Sequence, residues 1–260
     1  MSLNVQKTEL RKNCKSAILL TVLCFLISAV YAYYIQSDTL FYYNIEIWQE
    51  SSQISAILLP LIVVLPTCET LYSERTQNYI FYTKMRISTK KYYLNKLISI
   101  TSTGFFIVFF NSMLLLVFTL YILKAANITD PQLMSENHVS GQFSGYYVIN
   151  VPFFYGLLLS IWRGILGAII SSLGYVFSRF LHNKFSALLL PFAIVTFFEF
   201  SVAIIGIPEY GIYASYLPSG LKNGVVSPAT MIVSPLVYML LSIVVYCVMK
   251  RREGLNYGEL

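Results

Sequence analysis

Charged residues are scarce in this chain. They make up only 12% of its 260 residues, whereas hydrophobic residues make up 57%, and the mean hydropathy is +0.65. An ordinary soluble domain carries about 25% charged residues, so this composition excludes a soluble enzyme. The apolar residues also fall in long uncharged runs, unlike the short alternating segments of a transmembrane β-barrel. The composition therefore predicts an all-α integral membrane protein.

Residues and motifs that build catalytic or metal sites are also few. There are only two histidines, His138 and His182, and they are predicted on opposite sides of the membrane, which excludes a histidine pair for a metal. The sequence has no Gly-rich P-loop, no H-E-x-x-H motif and no G-x-S-x-G motif. We therefore expect no catalytic residue, no metal ligand and no cofactor in this chain itself.

Six apolar runs are long enough to cross a membrane, since a spanning helix needs about 20 residues. We expect a single transmembrane domain over residues 1–260, in which residues 1–15 form a basic cytoplasmic lead-in at the membrane surface. The spans are predicted at residues 16–35, 51–72, 97–123, 153–177, 185–207 and 230–249.

The lysines and arginines predict the orientation, because short cytoplasmic loops carry most of them. Of the 18 such residues, 15 precede the first span, follow the sixth span, or lie in the loops after the second and fourth spans. Both termini are therefore predicted in the cytoplasm. The net charge of +6 reflects this topology, so we expect membrane lipid and no nucleic acid as a partner.

The loop between the second and third spans mixes acidic, basic and aromatic residues. Tyr, Phe, Met and Arg are enriched at protein interfaces, which suits a docking segment. The alternative is a loop that lies on the membrane, with its basic side chains against lipid headgroups. The residues alone favour neither interpretation.

This loop and the six-span topology resemble the permease subunit of a type-2 ATP-binding-cassette exporter. That family has an acidic end of span two, a short cytoplasmic helix with a basic turn, and a Lys that opens span three. Gln77 stands near the usual Gly, and Met85-Arg86 replaces a frequent Pro. The matching residues are Glu69, Glu74-Arg75, Ile80-Phe81-Tyr82, Lys84-Met85-Arg86-Ile87-Ser88 and Lys96.

The resemblance implies that a cytoplasmic coupling helix docks on a separate ATPase subunit, which binds ATP and Mg. It also implies a second permease chain, identical or paralogous, and a partly re-entrant outer segment between spans five and six. The expected function is export of an antimicrobial or toxin peptide, a drug or a lipid across a bacterial plasma membrane. The implied docking residues are Arg75, Phe81, Tyr82, Lys84, Met85 and Arg86.

Two charges fall inside predicted spans, Arg163 in the fourth and Glu199 in the fifth. Because an ion within the membrane costs about 2.5–3.5 kcal/mol, we hypothesise that they pair or that both face a polar cavity. The alternative for Arg163 is that it reaches the outer interface. A pair of this kind would also suit a secondary transporter driven by an ion gradient, and a non-transporting membrane assembly factor is a further alternative.

Small residues recur at spacings of three and four along the fourth span. They let helix backbones approach closely, and close packing holds helices together in lipid. We expect this face to pack within the chain rather than to form a dimer interface. It comprises Ser160, Gly164, Gly167, Ala168 and Ser171.

Overall fold

A computed structural model describes residues 2–38, 43–77, 88–123, 151–181, 183–218 and 227–256. Over these ranges the chain is entirely helical and contains no strand. Six of the described helices are long and apolar enough to cross a membrane, which confirms the predicted all-α class and the number of candidate spans.

Eight α-helices are numbered here in chain order. Helices α1, α3, α4, α5, α6 and α8 are the six candidate spans. A π-helical segment, Phe118–Ile122, continues α4, and a 3₁₀ turn, Pro208–Tyr210, precedes α7. The helices are α1 (Ser2–Asp38), α2 (Asn44–Ser51), α3 (Gln53–Thr76), α4 (Thr89–Val117), α5 (Pro152–Phe180), α6 (Lys184–Ile205), α7 (Ile212–Tyr216) and α8 (Pro228–Asn256).

Several helices extend beyond the predicted spans at their polar ends. Helix α4 begins at Thr89, well before residue 97, and residues 2–15 form one continuous helix with the first span. Hydropathy marks only the part of a helix that suits hydrocarbon, whereas the backbone hydrogen bonds continue through basic and hydroxyl residues. The predicted lead-in is therefore the first part of α1 in the structure.

Helix α5 lies at the centre of the bundle, where it contacts α3, α4, α6 and α8. Its small residues allow α4 to approach closely. A Cβ atom added at Gly164 would lie 2.8 Å from the Phe105 ring, and one added at Gly167 would lie 2.8 Å from the Gly104 carbonyl oxygen. The Ser160 hydroxyl is hydrogen-bonded to an α4 hydroxyl at 2.9 Å. The small-residue face thus packs inside this chain.

The outer helices α1, α6 and α8 expose apolar side chains along much of their length. Leu19 on α1 is 74% exposed, and Phe197 and Ile204 on α6 are 76% and 84% exposed. Large apolar surfaces of this kind are stable against lipid or a partner rather than against water. The main buried cluster lies mostly on α3 and α5, with contributions from α4, α6, α7 and α8.

Helix α6 ends at Ile205 and is capped by Gly206, whose φ of +87° is the left-handed conformation that favours glycine. The Gly206 and Ile207 N–H groups donate to carbonyls of the last turn of α6. The chain then reverses through the Pro208–Tyr210 turn into α7, which contacts α3, α5 and α8. As a result, backbone N–H and carbonyl groups of α7 face the other helices of the bundle.

Candidate functional site

The segment implied to dock an ATPase lies between α3 and α4. Residues 78–87 are outside the described residues, and they include Phe81, Tyr82, Lys84, Met85 and Arg86. The flanking helix ends are described, so the structure shows how the segment is attached to the bundle. Glu69 lies within α3, and Glu74 and Arg75 lie in the last turns of that helix.

An ion pair joins the end of α3 to the start of α4. The Lys96 ammonium lies 2.9 Å from Glu74 Oε2, and the Tyr92 hydroxyl donates to the same oxygen at 2.6 Å. Tyr92 and Lys96 are four residues apart, so both project from one face of α4. The Lys96 side chain is 0% exposed, and the carboxylate therefore neutralises a charge that has no access to water.

Arg75 joins the end of α3 to the end of α5. Its Nη1 donates to the carbonyl oxygens of Arg179, at 2.6 Å, and Leu181, at 2.7 Å. The last carbonyls of a helix have no partner within the helix, and a cation there also complements the helix dipole. Arg75, which the resemblance implies to contact an ATPase, therefore also connects α3 to α5.

Arg179 extends these contacts to α4 and α8. Its guanidinium carbon lies 3.9 Å from the centre of the Tyr93 ring, and its Nη1 donates to the Tyr246 hydroxyl at 3.2 Å. The Tyr175 hydroxyl donates to the Tyr93 carbonyl at 3.2 Å. Four helices, α3, α4, α5 and α8, are therefore linked at the end of the bundle that carries residues 78–87.

Arg163 lies in a second polar network, inside the bundle. The side chain is 0% exposed. Its Nε donates to the Tyr216 carbonyl at 3.0 Å, and its Nη1 donates to the hydroxyls of Ser52 and Ser112, each at 3.0 Å. The guanidinium carbon lies 4.3 Å from the Trp48 ring centre and 4.5 Å from the Tyr216 ring centre. We call Arg163, Trp48, Ser52, Ser112 and Tyr216 the Arg163 network.

Helix α2 supplies part of this network. It starts after Tyr43, whose N–H donates to the Glu46 carboxylate at 3.4 Å, and it ends at Ser51, with Ser52 as its C-cap. The Trp48 indole N–H donates to the Ser112 carbonyl at 3.0 Å, while the Ser52 hydroxyl donates to the Trp48 carbonyl at 2.6 Å. The partners of Arg163 are thus held by their own hydrogen bonds, which fixes them around the charge.

Arg163 and Glu199 do not form a salt bridge in the structure, in contrast to the hypothesis that they pair directly. The Glu199 carboxylate accepts hydrogen bonds from the N–H groups of Ile212 and Tyr213 and from the Tyr238 hydroxyl, at 3.5 Å for the last. No carboxylate within the described residues forms a salt bridge with Arg163. Arg163 is also enclosed within the bundle, so it does not reach an outer interface.

The short helix α7 explains this separation. Glu199 accepts from the first N–H groups of α7, whereas Arg163 donates to the carbonyl of Tyr216, the last residue of α7. These are the groups that a helix leaves without internal partners, and they carry opposite partial charges. One short helix thus donates to an anion at one end and accepts from a cation at the other.

The sequence places Arg163 and Glu199 inside predicted spans, but it does not reveal the groups that form hydrogen bonds with them. Helix α2 with Trp48, and α7 with Tyr216, were not predicted as partners of Arg163. Two features of the sequence could have indicated the role of Trp48. Ile45 and Trp48 are three residues apart, as on one face of a helix, and an aromatic ring is a common partner of a buried guanidinium.

No protein-family model, curated protein or solved structure matches the chain. The residues and contacts of the chain itself therefore carry the functional inference. Two features bear on it most directly: the attachment of residues 78–87 to the bundle, and the environment of Glu199.

Proposed function

We propose that this chain is the membrane-spanning permease subunit of an ATP-binding-cassette exporter in a bacterial plasma membrane. Residues 78–87 form its coupling segment, and a separate cytoplasmic ATPase binds this segment together with Arg75. The ATPase binds ATP and Mg, so the permease needs no catalytic residue of its own. Both termini and the coupling segment face the cytoplasm.

The attachment of residues 78–87 at both ends is the observation that supports this proposal most. The Glu74–Lys96 ion pair joins the two helices that flank the segment, and Arg75 ties the same place to the end of α5. A displacement of the segment would therefore move α3, α4 and α5 instead of being absorbed by a flexible linker. An ATPase outside the membrane needs a connection of this kind to move a pathway within it.

The charge distribution supports the cytoplasmic placement of this end. Short cytoplasmic loops and helix ends carry the excess of Lys and Arg in membrane proteins. Basic residues at the corresponding helix ends are Arg75, Lys90, Lys91, Lys96, Arg179, Lys184, Lys250 and Arg251.

The exposed apolar faces of α1 and α6 suit either lipid or a second permease chain. A transport pathway of this class lies between two permease chains, identical or paralogous, and each binds one ATPase. The cargo in this proposal is an amphipathic or hydrophobic molecule, because the large exposed side chains on the described long helices are mostly apolar.

The test is to purify the tagged chain in mild detergent and to identify the co-purifying proteins by mass spectrometry. We expect a cassette ATPase with the wild type and its loss from a triple variant with Phe81→Ala, Tyr82→Ala and Arg86→Ala. A matched control changes Phe41→Ala, Tyr42→Ala and Lys124→Ala, which removes the same residue classes from the predicted outer loops. This control should keep the ATPase. A chain that purifies alone and moves cargo with an ion gradient would contradict the proposal.

A further inference from the structure

A cavity of about 490 Å³ lies between α3, α6 and the segment that contains the 3₁₀ turn and α7. This volume lies within the range of about 300–1,000 Å³ that is usual for small-molecule sites. Most of the wall is apolar. The lining residues are Gln53, Ala56, Ile57, Thr196, Glu199, Phe200, Ala203, Pro208, Tyr213, Ala214 and Leu217.

Glu199 is the one charged residue in this lining. Its two oxygens accept from the N–H groups of Ile212 and Tyr213, and hydrogen bonds of this kind favour the ionised form of a carboxylate. A Cβ atom at Gly211 would collide with this carboxylate, so the glycine permits the close approach of α7. A carboxylate offers about four acceptor positions, and these donors leave part of that capacity for a ligand.

The partners of Glu199 are neutral groups. No Lys or Arg within the described residues forms a salt bridge with it, and Arg163 is engaged at the far end of α7. An ion at membrane depth costs about 2.5–3.5 kcal/mol, so a cation that enters the cavity gains from pairing with the carboxylate in a medium of low dielectric constant. The rings of Phe200 and Tyr213 in the same wall also favour a cation over an anion.

We propose that this cavity binds an amphipathic monocation, with its protonated amine or quaternary group at Glu199 and its apolar body against α3 and α6. The apolar wall disfavours a small hydrated ion, and the carboxylate disfavours an anionic amphiphile. The identification of this ligand as the cargo rests on the proposed export function, whereas binding to the cavity does not depend on it.

The test uses tetraphenylphosphonium and tetraphenylborate, two ions of similar size and shape and opposite charge. Binding of each radiolabelled ion is measured on the purified full chain in phosphatidylcholine nanodiscs, without nucleotide or ATPase, against empty nanodiscs. We expect saturable binding of tetraphenylphosphonium alone. Glu199→Gln should weaken it at least about tenfold, while the Gln side-chain oxygen still accepts from an α7 N–H group. Glu209→Gln, which removes a carboxylate of the neighbouring 3₁₀ turn outside the cavity lining, should leave binding unchanged.

A second variant guards against a structural effect of the Glu199 substitution. Ala203→Phe places a ring in the cavity and keeps the carboxylate, and it should also abolish saturable binding. Equal binding of tetraphenylborate, absence of tetraphenylphosphonium binding, or unchanged binding in either cavity variant would overturn the proposal. Because no ATPase is present, these results are independent of whether the chain docks one.

Discussion

Lys96 and Arg163 are both fully buried cations, and their surroundings differ completely. Lys96 pairs with the carboxylate of Glu74 at the end of the bundle. Arg163 instead has two hydroxyls, a backbone carbonyl and two aromatic rings as partners. One charge is neutralised by an opposite charge, and the other is surrounded by dipoles and ring faces.

The chemistry of the two side chains accounts for this difference. An ammonium group is a compact, strongly hydrated charge, so its burial requires a carboxylate. A guanidinium group is planar and more weakly hydrated, so its edges can donate to neutral oxygens while its faces stack on aromatic rings. Arg163 can therefore hold α2, α4 and α7 around α5 without a counter-ion, whereas the Glu74–Lys96 ion pair joins the end of α3 to the start of α4.

The largest effect is expected for loss of the carboxylate of the ion pair. Glu74→Gln removes a carboxylate that pairs with the fully buried Lys96 ammonium, and we expect it to lower the free energy of unfolding by about 3 kcal/mol. The double variant Glu74→Gln with Lys96→Met should recover most of that loss, because the buried ammonium is removed together with the carboxylate. The measurement is the free energy of unfolding of the chain in nanodiscs. If the single variant were as stable as the wild type, the buried Lys96 ammonium would not depend on the Glu74 carboxylate, and the contrast with Arg163 would be wrong.

Arg163→Lys preserves the charge and is expected to cost about 2 kcal/mol. An ammonium group cannot stack between Trp48 and Tyr216 and at the same time reach the three oxygen atoms that now accept from the guanidinium. The same unfolding measurement tests this expectation. Full stability of the lysine variant would show that the flat guanidinium shape is not required.

Trp48→Phe keeps an aromatic face beside Arg163 and is expected to cost about 1 kcal/mol. The loss comes from the indole N–H, which donates to the Ser112 carbonyl, and from the weaker attraction of a phenyl ring for a cation. Trp48→Leu, which removes the ring face entirely, should cost more than Trp48→Phe. A reversed order would mean that shape alone, and not the cation–ring contact, matters at this position.

The smallest effect concerns Glu50, on the short helix α2 outside the spans. Burial raises the pKa of Glu50 above its ordinary value of 4.5, and the charge of Glu46 adds to this rise. The folded state therefore binds the proton more tightly than the unfolded state, and stability should fall as the pH rises from about 4.5 through the raised pKa. Glu50→Gln should remove this small fall, as measured by the unfolding midpoint between pH 4 and pH 8.

The existence of six spanning helices could be predicted from the sequence, because long uncharged runs have few other stable structures. Helix ends were less predictable, since residues such as Tyr92 and Lys96 are polar and yet continue α4. The partners of Glu199 are backbone N–H groups of α7, which have no sequence signature. Trp48 lies far along the chain from Arg163, so only the packing of α2 reveals their contact. The coupling role of residues 78–87 stays a prediction from resemblance.

The most direct test of the central claim is ATP hydrolysis by the complex that purifies with the tagged chain, reconstituted in nanodiscs. We predict hydrolysis with the wild-type chain and with the variant changed at Phe41, Tyr42 and Lys124, and its loss with the variant changed at Phe81, Tyr82 and Arg86. No hydrolysis with the wild-type chain, or equal hydrolysis with all three chains, would contradict the proposal that an ATPase acts through residues 78–87.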